Sequence, residues 1–489
     1  MYTPIAESQH HSATDPGLLA AVTRGEVRLS CEQGLELFNA ASMSLPSLGR
    51  LADVRCRGLH GDRLRTYIID RNINYTNVCN AKCTFCAFRR DSDASDAYTL
   101  EYDKILEKIG ELQAIGGTQI LMQGGMNPDL SLDWYLDLLH KIKETYPKIH
   151  VHAFSPPEFI EFVHFFNPPG KNLEEKVRWV MVKLREAGMD SLPGGGGEIF
   201  AHPVRHKIGL GKCDAESWLT VMYVAHSLGM FTSATMMFGH IEGYADRIHH
   251  MKLVREWQDR ALRESGEAHH HLGSATAASK PRGFGHYKAF ITWPFQRENT
   301  PLGRVKDWGA NPEELGRPFP GDVVAKAFDW GKNPDVDYRD LGPEAAEFGR
   351  LVRMAGASEY LRTQAISRLF LDNIYSIGSS WVTMGPHIGQ IALMYGANDM
   401  GSVMMEENVV SSAGTTYCLD EAVLCRLIRD AGFVPAQRDN TYDVLRVHDG
   451  LGSPDLQVTD WSTHRARKLS QQAPRAKPAI SQVTVSAKG

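Results

Sequence analysis

The chain has 489 residues, enough for one large barrel with extensions or for two ordinary domains. Its 53 basic and 58 acidic side chains leave a net charge of −5, which argues against a nucleic-acid binder, whose footprint is basic. Eight cysteines make no disulfide scaffold at this length, and neither a signal peptide nor a bilayer-spanning apolar run is visible, so a cytoplasmic protein without membrane contact is expected.

Residues 1–65 precede the first strand-like run and are expected to form helices packed on the main domain. Tyr67-Ile68-Ile69 reads as the first strand and leads into residues 74–88, where Cys79, Cys83 and Cys86 are spaced C-x3-C-x2-C. Three thiolates hold three irons of a cubane iron–sulfur cluster and leave the fourth open, which serves a reaction in which a substrate binds the cluster. Half of a zinc site is the alternative, but it wants a fourth Cys or His at a matching short spacing, and the next cysteine is Cys213.

Residues 100–112 place Ile105, Ile109 and Leu112 on one helical face, and Gln119-Ile120-Leu121-Met122 is a short buried strand ending in Gln123-Gly124-Gly125. A second helix starts at the cap Ser131, and residues 150–154 form the third strand, with His150 and His152 pointing the same way. Ser155 and Glu158 follow that strand as candidate site residues, and residues 176–187 are helical up to Gly188. Gly194 to Gly197 then place the carboxylate of Glu198, suited to ribose hydroxyls, with Arg205 suited to a bidentate grip on a carboxylate. Later strands are read at residues 231–238, 287–293, 373–382 and 402–405, with helices at 215–228 and 245–262.

About eight strand–helix units imply a parallel sheet closed into a (β/α)8 TIM-type barrel, whose site loops follow the C-terminal strand ends. Outside the alternation, residues 264–286 read as a loop whose His269-His270-His271 run is solvated surface. Residues 298–345 carry too many prolines for regular structure and hold an echo, Asp307-Trp308-Gly309 and Asp329-Trp330-Gly331, read as two similar turns. The division expected is a helical extension over 1–65, a barrel over 66–445, and a largely disordered segment over 446–489.

The cysteine loop is the signature of the radical S-adenosylmethionine (SAM) enzymes, and the chain resembles that superfamily. Trp293-Pro294-Phe295-Gln296, Thr383-Met384-Gly385-Pro386 and Met404-Met405-Glu406-Glu407-Asn408 narrow the resemblance to the cyclic dehypoxanthine futalosine synthase family of menaquinone biosynthesis. It covers roughly residues 66–445, interrupted by apparent insertions near 164–174, 264–286 and 298–345. Aminofutalosine synthases and the radical subunits of deazaflavin (FO) synthesis share the cysteine loop and remain alternatives, as does, in another class, an iron–sulfur electron carrier without substrate.

The resemblance implies a [4Fe-4S] cluster on Cys79, Cys83 and Cys86, with SAM on its open iron. Phe85 lies in the same loop; Gln123, Gly124 and Gly125 would hold the SAM amino group, and Gly239 and Glu242 would pack near adenine. A nucleoside-derived substrate would be cyclised to a spirocycle, and a low-potential electron donor of flavodoxin or ferredoxin type would reduce the cluster. The proton lost on ring closure needs a base, for which His240, Tyr395 and Glu406 are candidates.

Overall fold

The computed structural model describes residues 2–9, 12–210, 213–265, 283–310, 316–327, 338–406, 408–414 and 417–464. The His269-His270-His271 run, the second Trp echo at 329–331, Glu407 and the tail from 465 lie outside the described residues.

The first barrel strand is one extended run broken at Ile69, giving β1 (Leu64–Ile68) and β2 (Asp70–Ile73). Its upper half pairs in parallel with β3 (Gln119–Met122), which pairs with β4 (His150–Ala153). Single bridges His152–Ser191 and Leu192–Thr232 carry the wall across to β5 (Thr232–Phe238). From there β6 (Tyr287–Pro294) continues it; past the short pair β7 (Lys306–Asp307) and β8 (Leu351–Val352), the wall passes to β9 (Ser376–Gly378) and β10 (Asp399–Ser402). β10 returns to β1 through Thr66–Asp399 and Ile68–Ser402, so eight parallel positions close a circle. Beneath β3, the free side of β1 is taken by β11 (Val434–Arg438), which turns back as the antiparallel β12 (Val444–Val447).

Each wall strand separates two environments. Ile120 and Met122 point out to the helices and are buried there, while Gln119 and Leu121 line the interior. The helix Leu132–Thr145 starts where the Ser131 side chain accepts from the Trp134 N–H, and it buries Tyr135, Leu138, Leu139 and Ile142 against the wall. Ahead of β1 the chain forms helices Pro16–Arg24, Cys31–Glu36 and Leu45–His60.

Several expectations need correction. The strand read over 373–382 is confined to Ser376–Gly378, because Trp381–Met384 turns into a helix that Gly385 ends at φ 84°. The strand read at 402–405 lies three residues earlier, since Met404 sits at φ 50° and cannot continue it. Helices Pro156–Phe166 and Ala357–Phe370 escape pattern reading because they are buried on nearly every side and show no amphipathic stripe. Residues 298–345 do contain short regular pieces, such as Pro320–Lys326, in which Pro320 sits where its missing N–H costs nothing. The segment read as disordered from 446 holds the end of β12 and two 3-10 turns, tied by Arg429 to Asp455 at 2.6 Å.

Arg28 fastens the extension to the barrel, donating to Asp259 at 2.7 Å and to Asp372 at 2.8 Å in a buried triad. Removing one partner of such a group leaves buried charge unpaired. Arg28→Ala is therefore expected to destabilise the fold by about 3–5 kcal/mol, read as a lower midpoint in chemical denaturation.

Candidate active site

The barrel encloses a cavity of ≈ 500 Å³ reaching from the loops at the C-terminal strand ends down to the loop after β11. At the upper end, Cys79, Cys83 and Cys86 all line it, each partly exposed to the space. Their loop is pinned from several sides: Cys79 N–H donates to Arg90 O at 3.0 Å, Thr84 N–H to Ile208 O at 2.9 Å, and Leu302 N–H to Thr84 O at 2.8 Å. Burial pushes all three thiols up, Cys83 furthest, so thiolates here need a positive partner such as iron. Among the described residues no three His, Cys, Asp or Glu groups converge on one point that suits a single metal ion. A cubane cluster asks for something else, three thiolates on three separate irons.

Beside the thiols, Gln123, Gly124 and Gly125 follow β3 and line the cavity. A side chain at Gly125 would put its Cβ 2.1 Å from Val78 O, so the backbone there lies directly against the cysteine loop. Glu158 ties this corner together. Its Oε1 accepts from Tyr75 OH at 2.7 Å and Gly124 N–H at 3.2 Å, and its Oε2 accepts from Ser155 N–H and Oγ–H at 2.7 Å. Both Ser155 and Glu158 line the cavity, but their polar groups are already engaged with each other.

Glu198 differs. It is buried on the cavity wall, its Oε1 accepts from Gly196 N–H at 3.1 Å, and its Oε2 has no partner. Burial pushes its carboxyl up to about 7. A buried oxygen left without a partner, on a residue of the cavity wall, is one that a ligand hydroxyl or N–H can satisfy. Gly196, at φ 76°, lies so close to Pro157 that a Cβ would sit 2.2 Å from the ring, which keeps this loop tight against the corner that Glu158 holds.

Arg205 lies behind the glycine loop, outside the cavity lining. Its guanidinium donates to the carbonyls of Gly196 at 3.1 Å and Gly197 at 2.7 Å, and to those of Ile199 and Cys213. It braces the loop that presents Glu198, with no N–H left pointing at a ligand carboxylate. Phe85 lines the cavity next to the thiols.

Gly239, His240 and Glu242 form a closed cluster above β5, away from the cavity lining. Glu242 accepts from Gly239 N–H at 2.7 Å, His240 N–H at 2.9 Å and Arg247 Nε at 2.8 Å. Tyr395 packs against Gly49 of the N-terminal extension, and Glu406 is buried against Arg71 at 2.7 Å and Lys108 at 3.1 Å. The three candidate bases are thus dispersed, and none lines the cavity.

The cavity floor is polar and largely unforeseen. Arg438 grips both oxygens of Asp399 at 2.6 and 2.9 Å, and Asp70 accepts from Gln119 Nε2 at 2.9 Å and from Ser402 Oγ. Asn440 donates to Gln119 Oε1 and lies within reach of Ser191, so residues 438–442 close the N-terminal mouth. The one signal for this floor is polar Asp70 and Asn72 inside a strand that is buried throughout.

The radical SAM superfamily profile matches residues 73–254, and the profile described as "CofH/MqnC C-terminal region" matches residues 338–450. The chain is 37% identical to the cyclic dehypoxanthine futalosine synthase of Halalkalibacterium halodurans, over 88% of this chain and 95% of that one. It is 35% identical to the Streptomyces coelicolor protein of the same name, over 86% and 87%. In fold it resembles the [FeFe]-hydrogenase maturase HydG from Carboxydothermus hydrogenoformans, with TM-score 0.53, 12% identity, and coverage of 87% of this chain and 80% of that one.

Burial works to raise the Glu242 carboxyl, but His240, Arg247 and the backbone N–H donors of Gly239 and His240 outweigh it and bring it to about 2. It therefore stabilises the fold above its unfolded-state pKa, and that contribution is lost as pH falls through the window from about 4.5 to 2. Glu242→Gln is expected to cost at most about 3 kcal/mol at neutral pH, with the cost shrinking as pH drops below 5. Denaturant unfolding of both proteins across that range reads the difference.

Proposed function

The chain belongs to the radical SAM superfamily, and we propose that it cyclises dehypoxanthine futalosine to its spirocyclic product. Membership implies a [4Fe-4S] cluster and SAM. Cys79, Cys83 and Cys86 would hold the cluster, and when bound it supplies, with SAM and one electron, a 5′-deoxyadenosyl radical.

The chain's own residues position and shield. Glu198 Oε2, the unpartnered oxygen, would accept from a ribose hydroxyl of SAM. Gly124 and Gly125 lack the Cβ that would otherwise sit 2.5 Å from the Tyr75 ring and 2.1 Å from Val78 O, so this edge packs against the cysteine loop, where its backbone would take the SAM amino group. Trp293, Trp381 and Met404 give the middle of the cavity apolar walls on which the substrate's aromatic ring packs. A ring packed there would leave the attached sugar toward the upper end, where Cys79, Cys83 and Cys86 would hold the cluster. The floor loop 438–442 seals the opposite mouth, so a carbon radical meets no loose hydrogen donor from solvent. A flavodoxin- or ferredoxin-type donor would deliver the electron from outside.

The observation that supports this reading best is the shared cavity. The three-thiol loop lines one end, and residues of the C-terminal region match, Arg438 and Asn440 among them, line the other. Anaerobically reconstituted protein with SAM, a reductant and dehypoxanthine futalosine should yield 5′-deoxyadenosine, methionine and cyclised product in step. 5′-Deoxyadenosine without cyclised product would assign a different substrate. Cys83→Ala should lose the cluster's visible absorbance and turnover while circular dichroism stays native.

A further inference from the structure

Ring closure leaves a proton to be removed, and the candidate acceptors above are remote from the cavity. Closer by, β4 carries His150 and His152 two residues apart, so both rings lean to the barrel interior. Both meet one hydroxyl: His152 Nδ1 and His150 Nε2 each lie 2.6 Å from Ser191 Oγ. A hydroxyl has a single proton, so it donates to one ring and accepts from the other. The competing contact, Ser191 Oγ to Asn440 Oδ1, is longer at 3.3 Å.

The two rings face different spaces. His152 is buried and lines the cavity at mid-height, level with Leu121 of β3. His150 lies outside that lining, half-buried at the base of the wall, near the Lys143–Asp190 ion pair on the surface. Among the described residues, neither His152 Nε2 nor His150 Nδ1 has a hydrogen-bond partner. Two core histidines present only for packing would not need a shared hydroxyl between them with the outer nitrogen of each left open.

We propose that His152, Ser191 and His150 form a proton wire from the barrel cavity to solvent, with His152 Nε2 taking the proton that the substrate's aromatic ring loses on cyclisation. This rests on the substrate reading above. In the starting state His152 Nδ1–H donates to Ser191 Oγ, and Ser191 Oγ–H donates to His150 Nε2. When Nε2 of His152 gains a proton, each of these protons moves one place outward, and His150 releases its Nδ1 proton to water. Burial holds the His152 ring neutral, its pKa pushed down to about 3, so its lone pair is available and the proton does not stay.

The step balances. After the sugar radical adds to the ring, the attacked carbon holds an sp3 C–H. That bond breaks, the proton goes to His152, and the C–H electron pair stays in the ring, which becomes an aromatic radical anion. Its one extra electron leaves to a one-electron acceptor of the iron–sulfur class.

The test is the reconstituted holoenzyme with dehypoxanthine futalosine, comparing wild type, His152→Gln and Ser191→Ala. Three quantities are read: 5′-deoxyadenosine, cyclised product, and the electron paramagnetic resonance spectrum of frozen samples. Hydrogen abstraction precedes the proton step, so 5′-deoxyadenosine should still form in His152→Gln. Product per 5′-deoxyadenosine should fall on the order of 100-fold, the lower end for a general base, and an organic radical should accumulate. Ser191→Ala keeps the base and cuts the wire, so its ratio should fall between the two. An unchanged ratio in His152→Gln overturns the proposal. So does parallel loss of 5′-deoxyadenosine and product, the pattern of a structural role. A wild-type protein that forms no cyclised product removes the substrate reading, and the wire's proton source with it.

Discussion

One buried carboxylate joins the three loops on which the upper end of the barrel depends. Glu158 accepts from Tyr75 after β2, Gly124 after β3, and Ser155 after β4. Hydrogen bonds to a charged group contribute about 1.5–3 kcal/mol each, but burial still raises this carboxyl, so the four donors only partly offset its desolvation. The gain lies in geometry. The cysteine loop and the glycine edge are held at fixed separation because they share an acceptor, and neither can drift without leaving that oxygen unsatisfied.

The second consequence is a division of labour between the ends of the cavity. The upper end offers soft sulfur, glycine backbone and one orphaned oxygen, all suited to receiving ligands. The lower end is already satisfied: Asp399 with Arg438, Asp70 with Gln119 and Ser402, Gln119 with Asn440. A satisfied polar floor is rigid and costly to open. It comes from β11 and the turn behind it, far along the chain from the cysteines. A truncation before residue 434 would thus leave the cluster loop intact in sequence and the barrel without a base.

Much of the upper end was legible because its chemistry is local. Cys79, Cys83 and Cys86, Gly124-Gly125 and Gly194 to Glu198 are each short runs whose composition states a backbone or ligand requirement. Arg205 misleads for the opposite reason. An arginine near a glycine run invites a ligand reading, whereas five N–H groups also suit the bare carbonyls such a run exposes, and here they take them. The floor was illegible because it assembles from β2, β3, β10 and β11, and no single stretch announces it. His150 and His152 fall between. Their common direction follows from strand period, but Ser191, about forty residues on, decides what they do.

The interior also departs from the usual packing of such barrels, in which layers of bulky branched side chains fill the centre. Here Ser233, Ala289, Gly378 and Ser402 take inward positions on four strands, and the space they leave is the cavity. Removing that packing sacrifices apolar burial along the whole axis, of the order of 1 kcal/mol or more per missing side chain. The compensation lies outside the wall, in the buried helices Pro156–Phe166 and Ala357–Phe370 and in the N-terminal extension that Arg28 locks down. A barrel that must hold an empty centre is braced from its outside, which is why the segments least readable as catalytic are among those the site cannot lose.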